Sequence, residues 1–133
     1  MSITPNPDQF VDYVNSDLDG EVVMVNLLKF KATADSGDGA GSDAYGRYGD
    51  AVRTMITEQG GTIVWIGQPR HVFIGDPDAN DWDAVAVVSY PSRQAFIDMV
   101  STPAYAEAHT HREDGLERTV VIACAPAMLP TRD

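Results

Sequence analysis

The amino-acid sequence predicts an α+β domain built on one antiparallel sheet, and three observations predict it. After one extra helix, the apolar segments run strand, helix, strand, strand, helix, strand. The helical stretches carry apolar residues three and four apart behind good capping residues. The strand stretches are apolar on both faces rather than alternating. That order is the ferredoxin-like one, βαββαβ, with four strands and helices against one face. A chain of 133 residues suits a single domain, 1–133, large enough to bury a core.

Each element has a local reason. "NPDQFVDYV" reads as a helix start, with Asn6 as N-cap, Pro7 in the first turn and Gln9 closing a capping box. Phe10, Tyr13 and Val14 recur at helical spacing, so residues 7–17 form an additional N-terminal helix over one edge of the core. "DLDG" stops it, and the first strand follows from Glu21 to Phe30. Residues 31–43, "KATADSGDGAGSD", hold almost nothing to bury and read as a flexible loop. Ser42 is placed to cap the next helix, whose apolar face carries Tyr45, Tyr48, Val52, Met55 and Ile56 and which Gly60-Gly61 ends. "TIVWIGQPRHVFIG" is a second strand, and Pro69 marks it as an edge strand with a bend. "WDAVAVVSY" is the third. Ser92 caps the helix after it, Thr102-Pro103 restarts a helix that Gly115 stops, and "ERTVVIACAP" is the fourth strand. Residues 128–133 read as a tail.

Composition excludes several function classes. Nine basic against twenty acidic residues give a formal net charge of −11, which argues against nucleic acid and anionic membrane surfaces as partners. No stretch is long enough to span a membrane, and the first residues lack the layout of a secretion signal. A single cysteine, Cys124, allows no intrachain disulfide and fits a reducing cytoplasm.

The strand faces carry a further consequence. Val22, Met24, Leu28 and Phe30 lie on one side of the first strand, while Val23, Val25 and Leu27 lie on the other. The third and fourth strands are equally apolar on both sides. One face buries under the helices, and the other needs a cover that the chain does not supply. A second copy of the same sheet is the simplest cover, so the expectation is a homodimer packed sheet on sheet.

"VVMVNLLKF", "AYGRYGDAV" and above all "WDAVAVVSYPSRQAFIDMVSTPAYAEAHTHREDGLERT" resemble domain-of-unknown-function family 1330, over roughly residues 20–125. The resemblance implies a protomer of the dimeric α/β-barrel superfamily, in agreement with the face argument. It implies no particular reaction, because that superfamily holds cofactor-free monooxygenases, lactone isomerases, haem enzymes and ligand-sensing domains. No haem-ligating motif is evident, and no cofactor is expected.

The candidate site is a small-molecule pocket between sheet and helices, lined by Asn26, Tyr48, Trp65, Tyr90, His109 and Arg112. Asn26 stands where a strand core wants Val or Leu. Its amide either pairs with backbone to fix register or donates to a ligand oxygen. Tyr48, Tyr90 and Trp65 are core aromatics that could also form a flat slot with polar tips. In "HTHR", His109 falls one turn after Tyr105 and is the candidate proton donor or acceptor, with Arg112 to hold a carboxylate or enolate. Cations there could equally complement the helix dipole. No metal site is expected: His109 and His111 diverge on a helix, and neither carboxylate nor cysteine completes a set. "DPDANDWD" lacks the glycine and twelfth-position acid of a calcium loop. The catalytic version is a cofactor-free isomerase or oxygenase acting on a small anionic or cyclic compound. The alternatives are a non-catalytic metabolite-binding or sensing dimer, and a structural dimer with no ligand.

Overall fold

The computed structural model describes residues 3–127; the expected tail at 128–133 lies outside the described residues. The elements follow the predicted order: α1 (Pro7–Val14), β1 (Val22–Phe30), α2 (Gly41–Glu58), β2 (Thr62–Gly67), β3 (Ala84–Tyr90), α3 (Arg93–Val100), α4 (Pro103–Gly115) and β4 (Leu116–Cys124). The sheet order is β2-β3-β1-β4, with β1 antiparallel to both β3 and β4 and β2 antiparallel to β3. None of the helices among the described residues is long and apolar enough to cross a membrane.

Capping chemistry works as the sequence suggests at three helices. The Gln9 N–H donates to the Asn6 side chain (2.8 Å) and the Asn6 N–H to the Gln9 side chain (3.1 Å), a complete capping box. The Ser92 and Thr102 hydroxyls each accept a backbone N–H at 3.0 Å, from Ala95 and Tyr105. Helix α1 ends at Val14 rather than at residue 17, because the Asn15 and Ser16 N–H groups turn back to Val11 and Tyr13.

Helix α2 differs. It begins at Gly41, and its N-cap is Ala40, not Ser42; the Asp43 carboxylate accepts the Ala40 N–H at 3.1 Å. The earlier start follows from a close crossing. A Cβ on Gly41 would run into the Lys31 and Gly115 carbonyls, and one on Gly115 into the Gly41 carbonyl. The Lys31 N–H donates to the Gly115 carbonyl (2.8 Å) and the Gly41 N–H to the Lys31 carbonyl (3.0 Å), so the end of β1 and the facing ends of α2 and α4 are joined.

The loop at 31–43, expected to be flexible, is tethered. The Asp35 N–H donates to the Asp114 carbonyl (3.0 Å), and the Ser36 N–H and hydroxyl donate to the Asp114 carboxylate (2.6 and 2.8 Å). Ala34 is buried beneath it. The anchors are polar, which is why a search for apolar anchors in the sequence missed them. The irregularity expected at Pro69 falls instead at Ile63/Trp65, where the β2–β3 register shifts, and β2 has already ended at Gly67.

The core lies between sheet and helices. Val22, Met24, Val88 and Tyr90 of the sheet meet Tyr48, Val52 and Ile56 of α2, with Met99 and Ala108 beside them. The opposite face bears Val23, Val25, Leu27, Val85 and Val87, all half-buried. Val120 and Ile122 on β4 and Trp65 on β2 extend it, and Trp65 is 57% exposed.

Candidate functional site

On the helix side of the sheet, one aromatic and cationic layer joins α2 to α4. Tyr48 is a core residue of α2 and Tyr105 stands in the first turn of α4; their hydroxyls are 2.9 Å apart. One hydroxyl proton bridges the pair, which leaves the other free to donate onward. Rings continue the layer in both directions: Phe30 on Tyr45 (5.4 Å between centroids), Tyr45 on Tyr48 (5.3 Å), and Tyr105 stacked on His109 (5.8 Å). Tyr90 on β3 packs in the same core cluster as Tyr48 and meets Phe96 edge-on.

The site's electrostatics have one dominant feature, a buried guanidinium. Arg112 is 7% exposed and has no carboxylate partner among the described residues. It donates to the carbonyl of Ile3, and its charge works against the burial that raises the Tyr45 hydroxyl. A desolvated cation held only by neutral oxygens is an unbalanced arrangement. Its charge is felt nearby. Burial first, and then Arg112, hold His109 below the usual imidazole range, while Glu113 acts in the opposite sense. His109 Nδ1 is buried without a hydrogen-bond partner among the described residues, and Nε2 lies 3.9 Å from the Glu113 carboxylate. Burial, reinforced by Tyr105, pushes the Tyr48 hydroxyl well above the usual phenol value; burial also raises Tyr90. At neutral pH the layer therefore offers a neutral imidazole, protonated phenols and a fixed positive charge.

Of the six residues expected together, four share this layer: Tyr48, Tyr90, His109 and Arg112. Asn26 is on the same side of β1, but both of its amide protons are engaged, with the carbonyls of Met24 (3.2 Å) and Ala86 (3.0 Å). The expectation that Asn26 donates to a ligand oxygen is corrected: the amide ties β1 to β3, and only its oxygen is left to accept. Trp65 is corrected outright. It pairs with Val87, which pairs with Val25, on the face away from the helices, and its indole lies across Gly67. The register shift beside it decides which face it takes.

Beyond the aromatics Tyr45 and Tyr105, which the expected set left out, two further groups were missed in the sequence. Glu113 had a legible signal, the i, i+4 spacing from His109. Ile3 had none, since nothing local announces that a residue ahead of the first helix reaches into the core. Two surface concavities lie elsewhere, one beside Glu21, Thr62 and Ser89 and one beside Ser36, Arg47 and Asp114. Among the described residues no cluster of His, Cys, Asp and Glu could hold a metal ion.

Four antiparallel strands in this order with helices on one face define a ferredoxin-like α+β protein. The chain belongs to the family described as Domain of unknown function (DUF1330), whose profile matches residues 38–125. A protein of unknown function from Rhodopseudomonas palustris is similar over nearly the whole length, with 33% identity, a TM-score of 0.87 and coverage of 96% of this chain and 98% of that one. More distant likenesses concern the fold alone. A dimeric protein of unknown function and ferredoxin-like fold from Bacteroides fragilis is 9% identical (TM-score 0.53, covering 79% of this chain and 95% of that one). A candidate antibiotic biosynthesis monooxygenase from Caulobacter crescentus is 12% identical (TM-score 0.58, covering 84% and 93%). No curated protein matches the chain.

Proposed function

We propose that the protein binds a small anionic compound between sheet and helices, with the negative group on Arg112 and an oxygen of the ligand near the Tyr48–Tyr105 hydroxyls. One observation carries the reading: a guanidinium buried to 7% exposure with no carboxylate among the described residues to balance it. An anion would supply the missing charge and accept a charge-assisted, bidentate contact.

The catalytic form of this reading is a cofactor-free isomerase. His109, held neutral, takes a proton from a carbon beside the ligand's carbonyl or carboxylate and returns it one position along, so no co-reactant is needed. Arg112 and the free tyrosine proton meet the negative charge that develops on the oxygen. An oxygenase would add dioxygen to the same carbanion; the Caulobacter protein's description favours that variant by fold likeness alone. The perturbed His109 favours a catalytic role over a purely sensing one. Two copies packed through the open sheet faces form the working unit in this reading, in the cytoplasm. The description of the Bacteroides protein as dimeric supports the pairing.

The test is an NMR titration of the intact chain with benzoate and with methyl benzoate at neutral pH. The reading expects the carboxylate, not the ester, to shift the Arg112 side-chain and His109 ring resonances, and expects Arg112→Met to abolish the response. Equal response to acid and ester would defeat it.

A further inference from the structure

The segment ahead of α1 enters the layer just described. Thr4 and Pro5 are exposed, but Ile3 turns inward. Its side chain packs on Leu28, Ala84, Ala86 and Leu116, with Phe30 and Tyr45 alongside. Its carbonyl takes the hydrogen bond of the buried Arg112. Two features make this a weak tenant for such a place. A neutral carbonyl is about half as strong an acceptor for a guanidinium as a carboxylate is. The cluster its side chain packs against includes alanine at two successive inward positions of β3, Ala84 and Ala86.

We propose that Ile3 is a built-in ligand mimic, and that residues 3–5 form a displaceable strap over the anion site. The inference rests on the anionic-ligand reading above and deepens it. The carbonyl of Ile3 stands for one carboxylate oxygen of the ligand, and its branched side chain stands for the ligand's apolar body. The ligand class that follows is a monocarboxylate with a compact, branched or small-ring hydrocarbon body of about the size of an isoleucine side chain. It would exchange the neutral acceptor on Arg112 for an ionic one while refilling the same apolar slot. The strap keeps the guanidinium and the apolar slot out of water when no ligand is bound. Because it has to leave before a ligand enters, it lowers the apparent affinity in proportion to the fraction of time the site stands open.

The experiment uses 3-methylpentanoate, which is the isoleucine skeleton without its amine, and its neutral amide as the paired probe. Affinities are measured by isothermal titration on the intact chain, on Ile3→Ala, and on a chain lacking residues 1–5. The strap predicts at least tenfold tighter binding of the carboxylate by both variants, little binding of the amide, and loss of carboxylate binding when Arg112→Met is added to Ile3→Ala. Should deletion of residues 1–5 unfold the chain, Ile3→Ala carries the comparison alone. Equal carboxylate affinity in the intact chain and in Ile3→Ala overturns the strap and leaves the anion site standing. A folded Ile3→Ala that binds neither probe, or binds the amide as well as the acid, overturns both.

Discussion

Arg112 is the residue whose removal separates fold from function. A buried charge held by neutral oxygens contributes little net stability, because desolvating the guanidinium offsets most of what its hydrogen bonds return. Arg112→Met keeps the stem's volume and drops the charge. We expect its unfolding free energy in urea to equal the parent's or exceed it by about 1 kcal/mol, together with complete loss of carboxylate binding. A loss of several kcal/mol would mean that the charge is structural. His109 gives a pH dependence of definite sign. Its folded-state value lies below its ordinary 6.5, so in the window between the two the unfolded chain binds more protons. Stability therefore rises with pH across that window and falls as pH drops through 6.5, becoming flat again below the folded value. Denaturant midpoints measured at pH 7.5 and pH 5.5 should fall further for the parent than for His109→Gln, which cannot take up the proton. Asp114 acts at lower pH. The Ser36 backbone and hydroxyl bonds hold its carboxylate below 3.8, so the contribution it makes above that value is lost on acidification beneath it.

Among the elements, α2 and α4 contain glycines of two opposite kinds, and they yield opposite predictions. Gly46 has open space where a Cβ would go, in the middle of a helix. Gly46→Ala should raise stability by about 0.5–1 kcal/mol through the unfolded chain's lost freedom. At the crossing of α2 and α4, Gly115→Ala would drive a methyl group into the Gly41 backbone carbonyl. Backbone cannot swing aside as a side chain can, so a loss of about 2–3 kcal/mol is expected, read as a lower urea midpoint at unchanged slope. The contrast also marks what can be read from a linear chain. Helix starts were legible where a side-chain cap made them, at Asn6, Ser92 and Thr102, since the signal and its partner are three residues apart. The start of α2 was not, because it is set by a contact between Gly41 and Gly115 that no local pattern encodes. The site divides in the same way. Tyr48, His109 and Arg112 were found because helical spacing puts them on the inward faces of α2 and α4. Trp65 was misplaced because a register shift in β2 turns its side chain to the other face. Ile3 was invisible because its contacts are with residues from Leu28 to Leu116.

At the scale of the whole molecule, the sheet's two faces have unequal fates within the chain. The helix side buries Val22, Met24, Leu28 and Val88; the other side presents Val23, Val25, Leu27, Val85 and Val87 with Trp65, Val120 and Ile122 around them. An apolar surface of this kind is what protein interfaces use, and a face built of half-buried β-branched side chains suits another such face at ordinary sheet-packing distance. Charge bears on the geometry as well. A chain of net charge −11 repels its copy, so association has to come through a surface nearly free of carboxylates, and the centre of this face is one. Val87 lies at that centre, opposite Val25 on one side and Trp65 on the other. In Val87→Asp two copies brought face to face would bury opposed carboxylates, at a penalty far above what lost contact area alone would cause. The parent should scatter light as twice 14.4 kDa at micromolar concentration, and Val87→Asp as 14.4 kDa with far-ultraviolet circular dichroism unchanged. Trp65 supplies an independent reading, since dissociation returns an indole from an apolar interface to water and moves its emission to the red. A parent that already scatters as a single copy, or a Val87→Asp variant that remains paired, would remove the sheet face as the contact and leave its apolar character without an explanation.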